Sequence, residues 1–161
     1  MLCGKKNLAR ISNKPGKTKL INHFFINEKW YLVDLPGYGY AGVSKAERAG
    51  WAKWFAGYFT ERKNLMCVLV LLDSRLSPQK IDLDFMRWLG EKNVPFCMVF
   101  TKSDKISFNV LVKNISFYKR EMLEWFSELP KIFITSSVSK KGKEELLWFV
   151  EETNAEWENV Y

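Results

Sequence analysis

Two unbroken apolar runs, MCVLVLLD (66–73) and PFCMVF (95–100), limit what this chain can become. Each has the length of a strand and no polar alternation, the pattern of a strand buried on both faces of a parallel sheet. A parallel pair needs a crossover between its strands, and the intervening segment supplies one. Ser77-Pro78 reads as N-cap and first helical residue of a helix reaching about Leu89. Further on, the pattern predicts a helix from Ser107 to Phe126, a last strand in KIFIT (131–135) and a closing helix from Gly142 to about Glu152. Residues 154–161 read as a polar tail. Upstream, INHFFIN and WYLVD read as a hairpin joined by a Glu28-Lys29 turn. Ser44 and Glu47 form a capping box before a helix whose Trp51, Trp54, Phe55, Tyr58 and Phe59 make a core-facing stripe. Five strands and four helices in this order predict an α/β domain with a mostly parallel sheet. No repeat or linker divides it, so 1–161 is expected to be a single domain.

Several function classes drop out. No apolar run approaches the roughly 18–20 residues that span a bilayer, and the basic N-terminal segment lacks the apolar stretch of a signal peptide. A cytoplasmic protein without a membrane partner is expected. Cys3, Cys67 and Cys97 are an odd set without CxxC spacing, and two lie in strand-like runs. They read as reduced thiols, not metal ligands or disulfides. His23, the one histidine, has no ligand pattern around it. Lys and Arg outnumber acids 25 to 18, and the resulting net charge of +7 favours polyanionic partners such as RNA.

Chemistry gathers at strand ends. Asp34-Leu35-Pro36-Gly37 directly follows WYLV. A carboxylate at the end of a buried strand can hold a water-coordinated Mg²⁺, and a glycine there lets a backbone N–H approach a terminal phosphate. The plain alternative is an aspartate that caps a turn. Thr101-Lys102-Ser103-Asp104 follows PFCMVF. Its aspartate can accept hydrogen bonds from guanine N1–H and the exocyclic amine, donors that adenine lacks, while the stem of Lys102 covers the base. The alternative is an N-cap of the next helix by Ser103 or Asp104. Thr135-Ser136-Ser137 follows KIFI, where small residues let backbone amides reach guanine O6. A serine-rich turn opening the last helix is the alternative. Gly16-Lys17-Thr18 imitates the end of a phosphate-binding loop, but position 11 is Ile11 instead of glycine, no buried strand precedes it, and a strand follows. It reads instead as a mobile loop whose Thr18 hydroxyl ligates Mg²⁺ when a γ-phosphate is present.

Taken together, KPGKTKLINHFFIN, WYLVDLPGYGYAGVSK, LLDSRLSPQKIDLDF, VPFCMVFTKSDK and IFITSS resemble the bacterial EngB (YihA/YsxC) family of GTP-binding proteins across residues 7–150. The resemblance implies a three-layer P-loop NTPase fold of the Ras-like GTPase type. It implies a cytoplasmic, monomeric GTPase acting in large ribosomal subunit assembly and needed for normal cell division, with GTP or GDP and Mg²⁺ as ligands. Gly16, Lys17, Thr18, Lys19 and Leu20 would then lie on the nucleotide, with Thr18 on Mg²⁺ directly and Asp34 through water. Asp34, Leu35, Pro36 and Gly37 would meet metal and γ-phosphate. Thr101, Lys102, Ser103 and Asp104 would read guanine, and Thr135, Ser136 and Ser137 would support the base. No side chain is assigned as catalytic. Where many GTPases carry a water-orienting glutamine, this chain has Tyr38, Gly39 and Tyr40, so slow intrinsic hydrolysis assisted by a partner is expected.

The family opens with a strand, the loop G-x-x-x-x-G-K-S and a helix, and Met1 to Gly4 would fall near that helix's end. The chain as given is therefore expected to lack the first strand, the loop and most of the first helix. Four lost charge-assisted hydrogen bonds would cost roughly 6 kcal/mol of nucleotide binding or more. The lost strand would be central in the sheet, so its loss would expose two ladder edges. The competing expectation is a nucleotide-free basic module that binds ribosomal RNA or the pre-ribosome by surface charge.

Overall fold

Continuous apolarity does place a parallel sheet where the two runs lie. The computed structural model describes residues 21–35, 37 and 56–160. The chain falls into two units, 1–58 and 59–161.

In the first unit, β1 (Asn22–Ile26) and β2 (Trp30–Asp34) pair antiparallel, from Ile26 opposite Trp30 to Asn22 opposite Asp34. The Lys29 N–H donates to Ile26 O at 3.0 Å, and the residues between, Asn27 and Glu28, both have positive φ. That handedness matches the right-handed twist of the flanking strands. The turn therefore centres one residue earlier than Glu28-Lys29, because asparagine tolerates positive φ well. Ser44, Glu47, Trp51, Trp54 and Phe55 lie outside the described residues. Residues 56–61 are helical, here α1.

In the second unit, β3 (Val68–Asp73), β4 (Phe96–Thr101) and β5 (Ile132–Ile134) form a parallel sheet in that order, with Asp73 opposite Thr101 and Phe100 opposite Ile134. The helices are α2 (Lys80–Glu91), α3 (Phe108–Leu123) and α4 (Lys143–Val160). On one face, α3 sets the Tyr118 ring edge-on to Phe100, with centroids 5.3 Å apart. On the other, α4 sets Phe149 against Phe133 at 5.3 Å. Helices on both faces of the sheet give the three layers expected. Val70, Leu72, Met98, Phe100, Phe133, Met86, Leu89, Tyr118 and Met122 are fully buried and form the core. Phe59 of α1 is buried too, its ring 6.1 Å from those of Phe85 and Trp88, as its place in the aromatic stripe predicts. Among the described residues the strands make two ladders, β1-β2 and β3-β4-β5.

Four further expectations need correction. β3 is not buried on both faces: Leu71 is 63% exposed, because it lies on the α4 face two strands away from the Phe133–Phe149 contact, where no described helix covers it. The helix α2 begins two residues later than Pro78, with Gln79 at the capping position. A contact from outside the segment decides this, since the Tyr118 hydroxyl accepts from Gln79 N–H at 3.4 Å and donates to Asp82 Oδ2 at 3.1 Å. α3 ends at Leu123, three residues short of Phe126. The helix α4 runs on to Val160, so the polar tail expected from 154 is helical. Nothing in TNAEWENV stops a helix, for it holds neither glycine nor proline.

Cys67 and Cys97 are both free thiols with sulfurs 3.4 Å apart, as the reduced reading expects. Cys3 lies outside the described residues. Among the described residues no helix is long and apolar enough to cross a membrane, and no group of three or more His, Cys, Asp or Glu could hold a metal ion.

Candidate nucleotide-binding site

Parallel strands release all their carboxyl ends at one rim, and loops at that rim are where such sheets place ligand chemistry. Here the rim is drawn tight. The Thr101 hydroxyl donates to Leu72 O at 3.0 Å, and Thr135 donates to Phe100 O through both its N–H (2.7 Å) and its hydroxyl (3.1 Å). Thr101 and Thr135 thus spend their side chains on the sheet, and the loops beyond them carry the exposed groups.

After β4, Lys102 takes the left-handed conformation (φ 59°, ψ 30°), which is strained for a side chain of this size. Ser103–Lys105 then close a single 3₁₀ turn. The Ser103 N–H donates to Thr135 O at 3.2 Å, so the β4 and β5 loops are joined through backbone. They are joined through side chains as well. The Ser136 hydroxyl donates to Asp104 Oδ1 at 2.6 Å and accepts from the N–H groups of Val138 (3.2 Å) and Ser139 (3.1 Å). The hydrogen bond from Ser136, helped by Lys105 3.4 Å away, holds the Asp104 carboxyl below its ordinary range. Asp104 is therefore an ionised acceptor at the surface, fixed in direction by a serine that is fully buried.

The plainer reading of Thr101 to Asp104 can be tested directly. The cap of α3 is Ser107, whose hydroxyl accepts from Val110 N–H at 3.4 Å. Neither Ser103 nor Asp104 caps that helix. Similarly, α4 starts at Lys143, so Thr135 to Ser137 do not open it. Ser137 stands exposed at the rim, while Thr135 and Ser136 are buried, leaving backbone and the Ser137 side chain as what that loop can offer a ligand. Gly142 closes the loop with φ +71°. A Cβ there would overlap Ile134 O and sit 3.1 Å from Thr135 Cγ2, so only glycine fits.

One residue that the sequence reading passed over belongs to this rim. Asp73, at the end of β3, receives Lys102 Nζ at 2.8 Å, with Arg75 Nη2 at 2.7 Å on the same oxygen. Arg75 Nε (2.9 Å) and the Arg75 N–H (3.1 Å) meet its other oxygen. Arg75 first, then Lys102, holds this carboxyl far below the usual carboxylate range. The signal available in sequence was an acid ending a buried strand with an arginine two residues on.

In the first unit, Asp34 ends β2 at the surface, 3.5 Å from the side-chain amide of Asn22. Leu35 is half-buried, and Gly37 is exposed with no described atom within 4 Å of a Cβ built on it. Packing among the described residues does not require glycine there. Gly16, Lys17, Thr18, Lys19, Leu20 and Pro36 lie outside the described residues.

Comparison with known proteins gives the chain its family. A family model described as a 50S ribosome-binding GTPase matches residues 1–102. A probable GTP-binding protein EngB of Christiangramia forsetii is 54% identical over 154 residues, which cover 96% of this chain and 78% of that protein. The chain belongs to the EngB family. A protein of the same name from Porphyromonas gingivalis is 53% identical over 97% of this chain and 78% of its own length. The crystal structure of a probable GTP-binding protein EngB superposes with a TM-score of 0.71, covering 84% of this chain and 82% of the other at 20% identity. Apo elongation factor SelB from Methanococcus maripaludis superposes with a TM-score of 0.59, over 78% of this chain and 25% of that one. The EngB sequences establish the family, and the EngB structure together with the family model gives the P-loop GTPase fold.

Proposed function

We propose that residues 1–161 act as one guanine-nucleotide-binding domain, a slow GTPase switch of the EngB type. The observation that carries this is Asp104. It is ionised, aimed by Ser136, relieved of any capping duty and set on the loop after a central parallel strand. Such a carboxylate accepts from two neighbouring donors, which guanine offers and adenine does not. Thr101, Lys102 and Ser103 form its loop, and the backbone of Thr135, Ser136 and Ser137 lies beside it.

Mg²⁺ fits the residues present. Asp34 is a hard oxygen donor at the end of its strand, and Mg²⁺ at nucleotide sites is commonly held by one or two carboxylates together with phosphates and waters. The lack of a three-ligand cluster among the described residues is compatible with that kind of site. Thr18 would ligate the ion directly and Asp34 through water. Bound there, Mg²⁺ would neutralise charge on the β- and γ-phosphates. Gly37 would give close backbone access to the γ-phosphate, and Gly16, Lys17, Lys19 and Leu20 would flank the nucleotide on the loop that carries Thr18. Tyr38, Gly39 and Tyr40 provide no water-orienting amide, so hydrolysis is slow without a partner.

The partner is the large ribosomal subunit, in its assembly, with a role in normal cell division. The protein is cytoplasmic and monomeric. The family's description as ribosome-binding and the net charge of +7 support an RNA-rich partner. That same charge favours the rival reading, a basic module that binds the pre-ribosome without nucleotide.

Calorimetric titration with GTP and Mg²⁺ separates the two readings. Expressed from its full reading frame, the protein should bind GTP and reject ATP. Asp104→Asn should weaken GTP by about 30-fold or more and improve xanthosine triphosphate. Unchanged GTP affinity in that variant would remove Asp104 from base recognition.

A further inference from the structure

The loop after β4 is held from both sides, and only one side belongs to the base-reading motifs. β4 is the middle strand of its sheet, between β3 and β5. Asp104 is tied toward β5, through Ser136 on the loop that follows that strand. Lys102 is tied the other way, its ammonium on Asp73 at the end of β3. Two residues of one tight turn are thus drawn in opposite directions along the rim. The four-carbon stem of Lys102 therefore runs from the β4 exit to the β3 exit.

We infer that Asp73 is a positioning residue for nucleotide binding: it anchors Lys102 so that the lysine stem is laid out in advance beside the guanine-reading aspartate. This rests on the guanine-nucleotide reading above and extends it to a residue to which that reading gave no part in nucleotide binding.

Three features of the geometry support the assignment. Lys102 has a left-handed backbone, a conformation that persists when surrounding contacts fix it. Its ammonium bond to Asp73 is such a contact, reaching the far end of the side chain. Asp73 itself is fixed, because Arg75 takes Oδ1 through Nε and its own N–H and shares Oδ2 through Nη2. Its orientation is therefore set before Lys102 arrives. The turn bearing Asp73 is also braced from α3, where the buried Asn114 side chain donates to Ser74 O at 2.8 Å. A free lysine samples many rotamers, and freezing them on binding costs affinity; an anchored one has already lost that freedom.

The plainer role for Asp73 is to hold Arg75 and the turn, without regard to Lys102. A double-mutant comparison distinguishes the two roles. In the protein expressed from its full reading frame, Asp73→Asn should weaken GDP binding in the presence of Mg²⁺ by about tenfold, the worth of ordering one lysine side chain. In a Lys102→Ala background the same change should cost less than about twofold, because nothing remains to be positioned. Equal losses in both backgrounds would assign Asp73 to the turn alone and overturn the proposal. No loss in the parent background would overturn it as well. Failure of the unsubstituted protein to bind GDP would instead refute the guanine-nucleotide reading, and this inference with it. A second measurement needs no substitution and so stands even where Asp73→Asn does not fold. By NMR, the Lys102 ammonium hydrogens should exchange with water more slowly than those of Lys113 and Lys119 on α3. Equal exchange rates would show that Lys102 is not anchored.

Discussion

Gly142→Ala is expected to destabilise the second unit by roughly 2–5 kcal/mol. Gly142 sits at φ +71° in the loop that carries Thr135 to Ser137. Placing an ordinary L-residue in the left-handed region costs about 1–2 kcal/mol. The new Cβ also overlaps the carbonyl oxygen of Ile134 and crowds Thr135 Cγ2 at 3.1 Å. The first obstacle is backbone at the end of β5, so it cannot rotate aside like the tip of a side chain. Overfilling of this kind costs about 1–3 kcal/mol more, and the two effects add to the range given. Urea denaturation at constant temperature reads the loss as a lower midpoint with an unchanged slope. Lys140 supplies the opposite control. It also has positive φ, 61°, but carries a side chain, so Lys140→Gly removes strain there. Glycine's larger unfolded-state entropy offsets part of the gain, leaving it neutral to about 1 kcal/mol more stable. A Gly142→Ala protein within about 0.5 kcal/mol of the parent would refute the reasoning, since the loop would then yield freely. GDP affinity should fall in the same variant, because Ile134 leads directly into Thr135 and Ser136.

Three further outcomes can be checked. Ser136→Ala removes the main group holding the Asp104 carboxyl below its ordinary range. Binding that needs ionised Asp104 is lost as pH falls through its pKa, so the acid limb of GDP affinity should move to higher pH, and an unmoved limb would count against it. Asp73 has a strongly lowered carboxyl, so its contribution to stability is present above about pH 4 and fades as pH falls below that. Asp73→Asn should accordingly flatten the acid side of the stability curve measured by denaturation between about pH 2 and 5. Thr18→Ala should leave GDP affinity nearly untouched, cost GTP roughly tenfold and abolish GTP-dependent protection of residues 14–20 from proteolysis; equal losses for both nucleotides would disprove a loop that senses the γ-phosphate.

What could be read from the sequence depended on whether its cause was local. β4 is apolar from Phe96 to Phe100 because it is the middle strand, with Cys97 to Phe100 buried, and its run alone gave both position and type. Ser107 was legible as the first residue of its helix because a cap is a contact over three positions. Asp104 was legible as a chemical group because it follows a strand closely. Distant partners left no such mark. The start of α2 is set by Tyr118, nearly forty positions along, and no pattern in the α2 segment announces it. Asp73 escaped notice for a similar reason, since the lysine that gives it meaning is 29 positions away. Leu71 looks like core in sequence and lies exposed, because apolarity cannot tell how far the helices above a strand reach.

The matched pairing of Asp73 with Thr101 and of Phe100 with Ile134 makes the rim intolerant of assembly errors. A slip of β4 by one residue against its neighbours would carry Lys102 and Asp104 about 3.3 Å along the strand direction. It would also turn every β4 side chain to the opposite face. The 2.8 Å contact to Asp73 and the 2.6 Å contact to Ser136 would both be lost in that single step. Met98 and Phe100 would trade places with Val99 against α3. A misregistered chain would thus lose its packing and the loop proposed to read guanine together, so completing the core and shaping that loop are one event.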